Sequence, residues 1–166
     1  MPPAEGPTSA EFRSAASQFA TGITVVTTVV DGVDHAMTVN SFTAVSLDPV
    51  LVLVCAERST RFHDAVLTSR RWAVSVLPET GQATAAWLAT KGRPLEGQLD
   101  RVPHERGPWT GAALLLGSLS TFECETYAEH DGGDHTIVVG RVLGTTVGDR
   151  EAGPLVYHRG QYRSVV

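Results

Sequence analysis

The chain is short of cysteine, of long apolar runs and of excess positive charge. Its two cysteines, Cys55 and Cys124, lie far apart among 166 residues and form no CxxC pair. That spacing argues against both a zinc site and a disulfide framework and suits a reduced, cytoplasmic protein. No stretch approaches the roughly 18 uninterrupted apolar residues of a spanning helix. The opening MPPAEGPTSAEF lacks the basic-then-apolar order of an export signal, so neither membrane insertion nor secretion is expected. Thirteen Lys and Arg stand against eighteen Asp and Glu, a net charge of −5 that is a poor match for nucleic acid. No GxGxxG follows a strand, so no Rossmann domain is expected. No GxSxG elbow occurs, and both cysteines sit in apolar strand patterns where a thiol stays protonated, which disfavours nucleophilic catalysis. Internal repeats, heptads and low-complexity tracts are absent.

What remains is an ordinary globular composition, with 42% apolar and 19% charged residues. It predicts one domain over residues 1–166, with residues 1–8 as a flexible tail. A chain of this size buries roughly 70 per cent of its unfolded surface, enough core to enclose a ligand cavity. Thr8 to Glu11 reads as a capping box, and Phe12, Ala15, Ala16, Phe19 and Ala20 fall on one helical face, predicting a helix that ends near Gly22. Strands are expected over 23–30 and 33–39 around an Asp31-Gly32 hairpin, and over 42–46 and 50–56 around Asp48-Pro49. The last of these is so uniformly apolar that a central strand, buried on both faces, is expected.

A helix over 61–69, a strand over 72–77 and a helix over 80–90 follow. Residues 91–111, rich in Gly, Pro and charge, read as a long surface excursion. Strands over 113–127 and 136–147, joined around Asp131-Gly132-Gly133, would point Phe122 and Cys124 inward and Glu123 and Glu125 outward. A final pair, 155–158 and 161–165, turns at Arg159-Gly160. Seven or more strands, mostly hairpin-linked and capped by three helices, make this a mainly β protein built on a closed or nearly closed antiparallel barrel.

Two segments carry chemistry. In MTVNSFTAVSL, residues 37–47, polar Thr38, Asn40 and Ser41 interrupt an apolar strand and suggest a ligand edge. In CAERSTRF, from Cys55, Ser59 or Thr60 can cap a helix opening at Arg61, with Arg58 and Arg61 beside it. Free backbone donors, a dipole's positive end and a guanidinium are how proteins hold phosphate. The cluster EHDGGDH gathers Glu129, His130, Asp131, Asp134 and His135, but its histidines flank a Gly-Gly turn and match no defined metal spacing, so no metal is expected.

The order FATGITVVTT, MTVNSFTAVSLDPVLVLVCAERST, GDHTIVVGRV and PLVYHRGQY, running from about Phe12 to Tyr162, resembles the flavin reductase family. The resemblance implies an FMN-binding split β-barrel, a homodimer, and hydride transfer from NADH or NADPH to FMN or FAD. The reduced flavin would diffuse to a partner monooxygenase. It further implies that Thr38, Val39, Asn40 and Ser41 line the isoalloxazine edge, that Cys55 and Ala56 lie against the ribityl chain, and that Ser59 and Thr60 grip the phosphate with Arg58 or Arg61. His135, in the GDH element, would position the nicotinamide as the residue nearest the chemistry. Tyr157 and Arg159 would contact the pyridine nucleotide, and Lys91 could face either nucleotide. Where the family often carries a basic-aromatic stretch and a Phe-x-Gly element, this chain has Arg93-Pro94-Leu95-Glu96-Gly97, which leaves FMN and FAD both open. Two other readings fit the same barrel: a flavin-binding carrier or sensor without turnover, and a flavin-dependent oxidase or oxygenase acting directly on an organic substrate.

Overall fold

The computed structural model describes residues 6–165. Helix α1 (Ser9–Ala16) leads into strands β1 (Thr21–Gly22), β2 (Thr24–Val30), β3 (Val33–Val39), β4 (Thr43–Leu47) and β5 (Val50–Glu57). After α2 (Arg61–Ser69) and β6 (Arg71–Val76), a short 3-10 turn precedes α3 (Gln82–Ala89). The remainder is β: β7 (His104–Arg106), β8 (Ala113–Leu115), β9 (Ser120–Gly132), β10 (His135–Val147), β11 (Leu155–His158) and β12 (Gln161–Ser164).

Seven strands form one antiparallel sheet in the order β3-β2-β6-β9-β10-β5-β4. Its two edge strands, β3 and β4, are neighbours in sequence, joined by residues 40–42. In a flat sheet, six strand spacings of about 4.8 Å would hold those edges roughly 29 Å apart. Four Cα steps from Val39 to Thr43 reach at most about 14 Å. The sheet must therefore roll until its edges approach, which makes it a split barrel. Ser41 extends the β4–β5 register into the link, since its hydroxyl accepts from Cys55 N at 2.9 Å and donates to Cys55 O at 3.4 Å.

Strand alternation buries both faces of β2. Val26 joins Val54, Trp72, Val74, Cys124 and Val138 in one apolar cluster, while Val25 joins Ile23, Leu77, Leu88, Leu115 and Leu155 in another. The second cluster is closed by a three-stranded sheet, β1-β11-β12. Two hairpins use the left-handed backbone that a two-residue primed turn requires: Asp31 and Gly32 have φ of 50° and 77°, and Arg159 and Gly160 have 51° and 74°.

Several expectations need correction. The first helix stops at Ala16 and buries nothing, because turn-type bonds from Gln18 to Ala15 and from Phe19 to Ala16 break its ladder. Phe12 and Phe19 stay 64% and 77% exposed. Of the tail expected over residues 1–8, residues 1–5 lie outside the described residues, while Thr8 caps α1 in a capping box with Glu11. Strand β5 is not central but next to the edge, and Leu53, Cys55 and Glu57 on it are half-exposed. The strand expected over 113–127 is two strands, because Gly117 turns the chain at φ 76°, so that β8 pairs with β7 and β9 with β6.

Glu123 lies on the face of β9 opposite Phe122 and Cys124, as alternation expects, but that face is not open to solvent. It is buried because the backbone N–H groups of Trp109 and Thr110 and the Thr110 hydroxyl all donate to its carboxylate, at 3.0, 2.8 and 2.7 Å. Nor is 91–111 a surface excursion, since Gln98, Leu99 and Val102 are buried and residues 104–106 form β7.

The long β9–β10 ladder bulges at Gly140. A Cβ there would stand 2.4 Å from Trp72 Cζ2 and 2.9 Å from Cys124 Cβ, so only glycine admits the indole. Gly140→Ala is expected to destabilise the fold by about 1–3 kcal/mol through overpacking. The check is a denaturation midpoint lowered at unchanged slope; an unchanged midpoint would mean that the barrel interior yields at this contact.

Candidate functional site

Where the barrel splits, the end of β3, the β5–α2 turn, the end of α3 and residues 91–98 enclose a cavity of about 330 Å³. Its lining is apolar at Ala36, Met37, Phe62, Leu88, Ala89 and Leu95. It is polar at Thr38, Ser59, Thr60, Thr90 and Gln98 and cationic at Arg61, Lys91 and Arg93. His35 and Glu57 complete the polar lining. A ligand that combines an apolar ring with an anionic group finds partners for both in this lining.

The anion-binding part of the lining is built by α2. Thr60 has extended backbone (φ −96°, ψ 149°) and caps the helix, its hydroxyl accepting from His63 N at 3.3 Å and donating to Glu57 O at 2.8 Å. The two candidate arginines separate here. Arg58 turns away, donating to Gly133 O and His135 O and pairing with Asp131 at 2.9 Å, so it fastens the β9–β10 turn to the end of β5. Arg61 faces the cavity and donates to Arg93 O at 2.6 Å.

Glu57 ties the polar lining together. One of its oxygens accepts the Ser59 hydroxyl at 2.6 Å and the Lys91 ammonium at 3.0 Å. The Ser59 bond first, then Lys91, holds its carboxyl below the usual carboxylate range, so Glu57 is ionised at neutral pH. His35 is the opposite case. Burial, reinforced by the nearby Arg61 cation, holds its imidazole below the usual range, and its Nδ1 is buried without a hydrogen-bond partner among the described residues.

Arg93 organises the lid side. Its guanidinium donates to Ala36 O on β3, to Thr90 O at 3.0 Å and to Gln98 Oε1 at 3.1 Å. Gln98 in turn donates to Asp34 O at 2.7 Å, and Trp87 Nε1 donates to Gln98 O at 2.8 Å. Residues 91–98 are thereby pinned across β3 rather than left to solvent.

Of the residues singled out in the sequence, Thr38, Ser59, Thr60, Arg61 and Lys91 share this cavity. The Thr38 hydroxyl is committed to Ala85 O at 2.8 Å. Beyond it Val39 is buried, Asn40 is exposed, and Ser41 is spent on Cys55. Cys55 is half-exposed and Ala56 buried, on the strand that runs into the cavity.

His135 lies outside the lining but directly across the β5–β10 ladder from Glu57, with Nδ1 held by Asp134 at 2.7 Å. Tyr157 and Arg159 are not brought to the cavity. Tyr157 packs edge-on against Tyr162 over the core, with ring centroids 5.5 Å apart, and Arg159 bonds Ser17 O and Gln18 on the connection after α1. Sequence reasoning missed His35, Glu57 and Arg93. Glu57 had a signal, an acid in the middle of the CAERST segment, but nothing in the spacing marked the other two.

Residues 16–166 match the flavin reductase like domain family. The chain is 37% identical over 158 residues to the reductase subunit HsaB of a flavin-dependent monooxygenase from Rhodococcus jostii, covering 93% of this chain and 76% of that protein. It is 38% identical over 157 residues to the NADH FMN reductase SmoA of Agrobacterium fabrum, covering 95% and 86%. Among solved structures, BorF superposes with a TM-score of 0.90 at 46% identity, over 95% of this chain and 98% of that one. BorF is the flavin reductase component of a bacterial two-component tryptophan halogenase.

Proposed function

Because this chain belongs to the flavin reductase like domain family, we propose that it is the NAD(P)H-dependent flavin reductase of a two-component system. It passes a hydride from NADH or NADPH to FMN or FAD and releases the reduced flavin to a separate monooxygenase. The observation that carries this reading is the cavity itself, where apolar side chains join Arg61, Lys91 and the Thr60-capped helix start. That donor set fits a ring-bearing phosphate ester. The redox chemistry is supplied by the flavin and nicotinamide rings, which need stacking at near-attack distance more than they need a protein proton.

The chain's own task is then to bind and orient. Met37, Phe62 and Leu88 keep water from the ring, and Ser59, Thr60 and Arg61 hold the phosphate. Thr38 to Ser41 border the ring edge where the barrel splits, and Cys55 and Ala56 lie along the strand leading to the phosphate end. Tyr157 and Arg159 reach the pyridine nucleotide only if a second copy or the ligand itself bridges to them. In this reading the active species is a homodimer. Val45, Leu47 and Val50, around edge strand β4, are 47%, 92% and 49% exposed, an apolar margin that a second copy would cover. No helix among the described residues is long and apolar enough to cross a membrane. Cys55 and Cys124 are both free thiols, in keeping with the cytoplasmic setting we assign.

His135 is a positioning residue for the nicotinamide. Its ring is 39% exposed beside Glu57 at the cavity margin, free to meet a second ligand while the flavin occupies the interior. His135→Ala is expected to raise the apparent KM for NADH by about tenfold while the KM for flavin stays within about twofold. Steady-state kinetics with each substrate varied in turn checks this, and equal effects on both constants would remove the assignment. Sedimentation velocity of the purified protein is expected to give a dimer; a monomer at working concentration would contradict the paired state.

A further inference from the structure

The groups best placed to bind a phosphate are already engaged by an acid of the protein. Ser59 Oγ and Lys91 Nζ both bond the same oxygen of Glu57, at 2.6 and 3.0 Å, inside the cavity that Arg61 and Arg93 also line. Glu57 is the one carboxylate among the described lining residues. Its side chain is 32% exposed and reaches the cavity from the last position of β5, two residues before Ser59 and directly opposite His135 in the ladder. A carboxylate held by a hydroxyl and an ammonium copies, with half the charge, the contacts of a phosphate monoester.

We propose that Glu57 is an internal competitor for the flavin phosphate, a specificity residue that keeps phosphate affinity low so that flavin exchanges instead of remaining bound. The inference rests on the flavin reading above. Two consequences follow from charge alone. A dianionic phosphate entering between Arg61 and Lys91 must detach Ser59 and Lys91 from Glu57 and then lie beside that carboxyl group, so part of its attraction to the cations is cancelled. Riboflavin, which has the same ring and ribityl chain but no phosphate, meets no such opposition. Glu57 therefore narrows the difference in affinity between FMN and riboflavin without touching the ring. In a protein whose product must leave to be used, a weakened phosphate grip shortens the residence of FMN, since affinity differences among related complexes lie mostly in the off-rate.

The test is fluorescence titration of the full chain with FMN and, separately, with riboflavin, comparing wild type with Glu57→Gln. The amide keeps the shape and an acceptor oxygen for Ser59 and Lys91 while removing the charge. FMN is expected to bind about tenfold more tightly to the variant, mainly through slower release, with riboflavin unchanged within about twofold. Glu57→Ala, which removes the acceptor as well, is expected to move FMN in the same direction and supplies the answer should the amide variant not fold. An FMN affinity that is unchanged or weaker would overturn the proposal, as would equal tightening for both flavins. Failure of wild type to bind either flavin would instead overturn the flavin reading itself, so the two failures are distinguishable.

Discussion

The structure depends on a short piece of chain doing two things at once. Residues 40–42 join the first and last strands of a seven-stranded sheet, and a link that short is possible only if the sheet rolls. Rolling brings the end of β3 toward β4 and its neighbour β5, and the Ser41 hydroxyl, bonded to both backbone groups of Cys55, carries the β4–β5 pairing into the link. Once those strands are adjacent, Thr38 and the Ser59-Thr60 turn cannot avoid facing the same space. The cavity is therefore a consequence of how the barrel closes. Polar Asn40 and Ser41, which look anomalous in an apolar strand, lie where the backbone leaves one strand edge for the other.

Charge is arranged against the average of the molecule. The chain carries a net charge of −5, yet Arg61, Lys91 and Arg93 line one cavity with Glu57 as their only carboxylate among the described lining residues. Not all of this positive charge is available to a ligand. Arg93 is spent on backbone and Gln98, holding residues 91–98 over β3, and Lys91 is paired with Glu57. Arg61 is the least committed of the cations, bonded only to a carbonyl of the lid among the described residues. The helix start beside it adds oriented N–H groups that need no side-chain ordering. A site built this way attracts an anion without binding it irreversibly, which suits a protein that hands its product to another.

Much of this was legible in the sequence, for reasons that can be stated. Alternation of apolar residues, the Asp31-Gly32 and Arg159-Gly160 turns and the Thr60 cap are local signals, and each produced the element expected. The errors around the site arose where a distant segment decided the outcome. Glu123 alternates as an outward residue, but the 107–112 loop crosses that face and satisfies its carboxylate with three donors. Residues 91–111 look like a solvated loop by composition, yet Arg93 and Gln98 find partners on β3, a contact that no local pattern encodes. The choice between Arg58 and Arg61 was open for the same reason, because it turns on the β9–β10 hairpin more than seventy residues away. Tyr157 and Arg159 show the limit of one chain, since within it they serve the core and the connection after α1.

The most direct measurement is the affinity of the full chain for FMN with and without the hydroxyls of Ser59 and Thr60, by fluorescence titration of wild type and the Ser59→Ala/Thr60→Ala double variant. If two segments converge on one flavin, with the phosphate held at the start of α2, wild type takes up FMN and the double variant binds it about tenfold or more weakly while remaining folded. An FMN affinity indifferent to both substitutions would contradict the account, as would a wild-type chain that takes up no flavin.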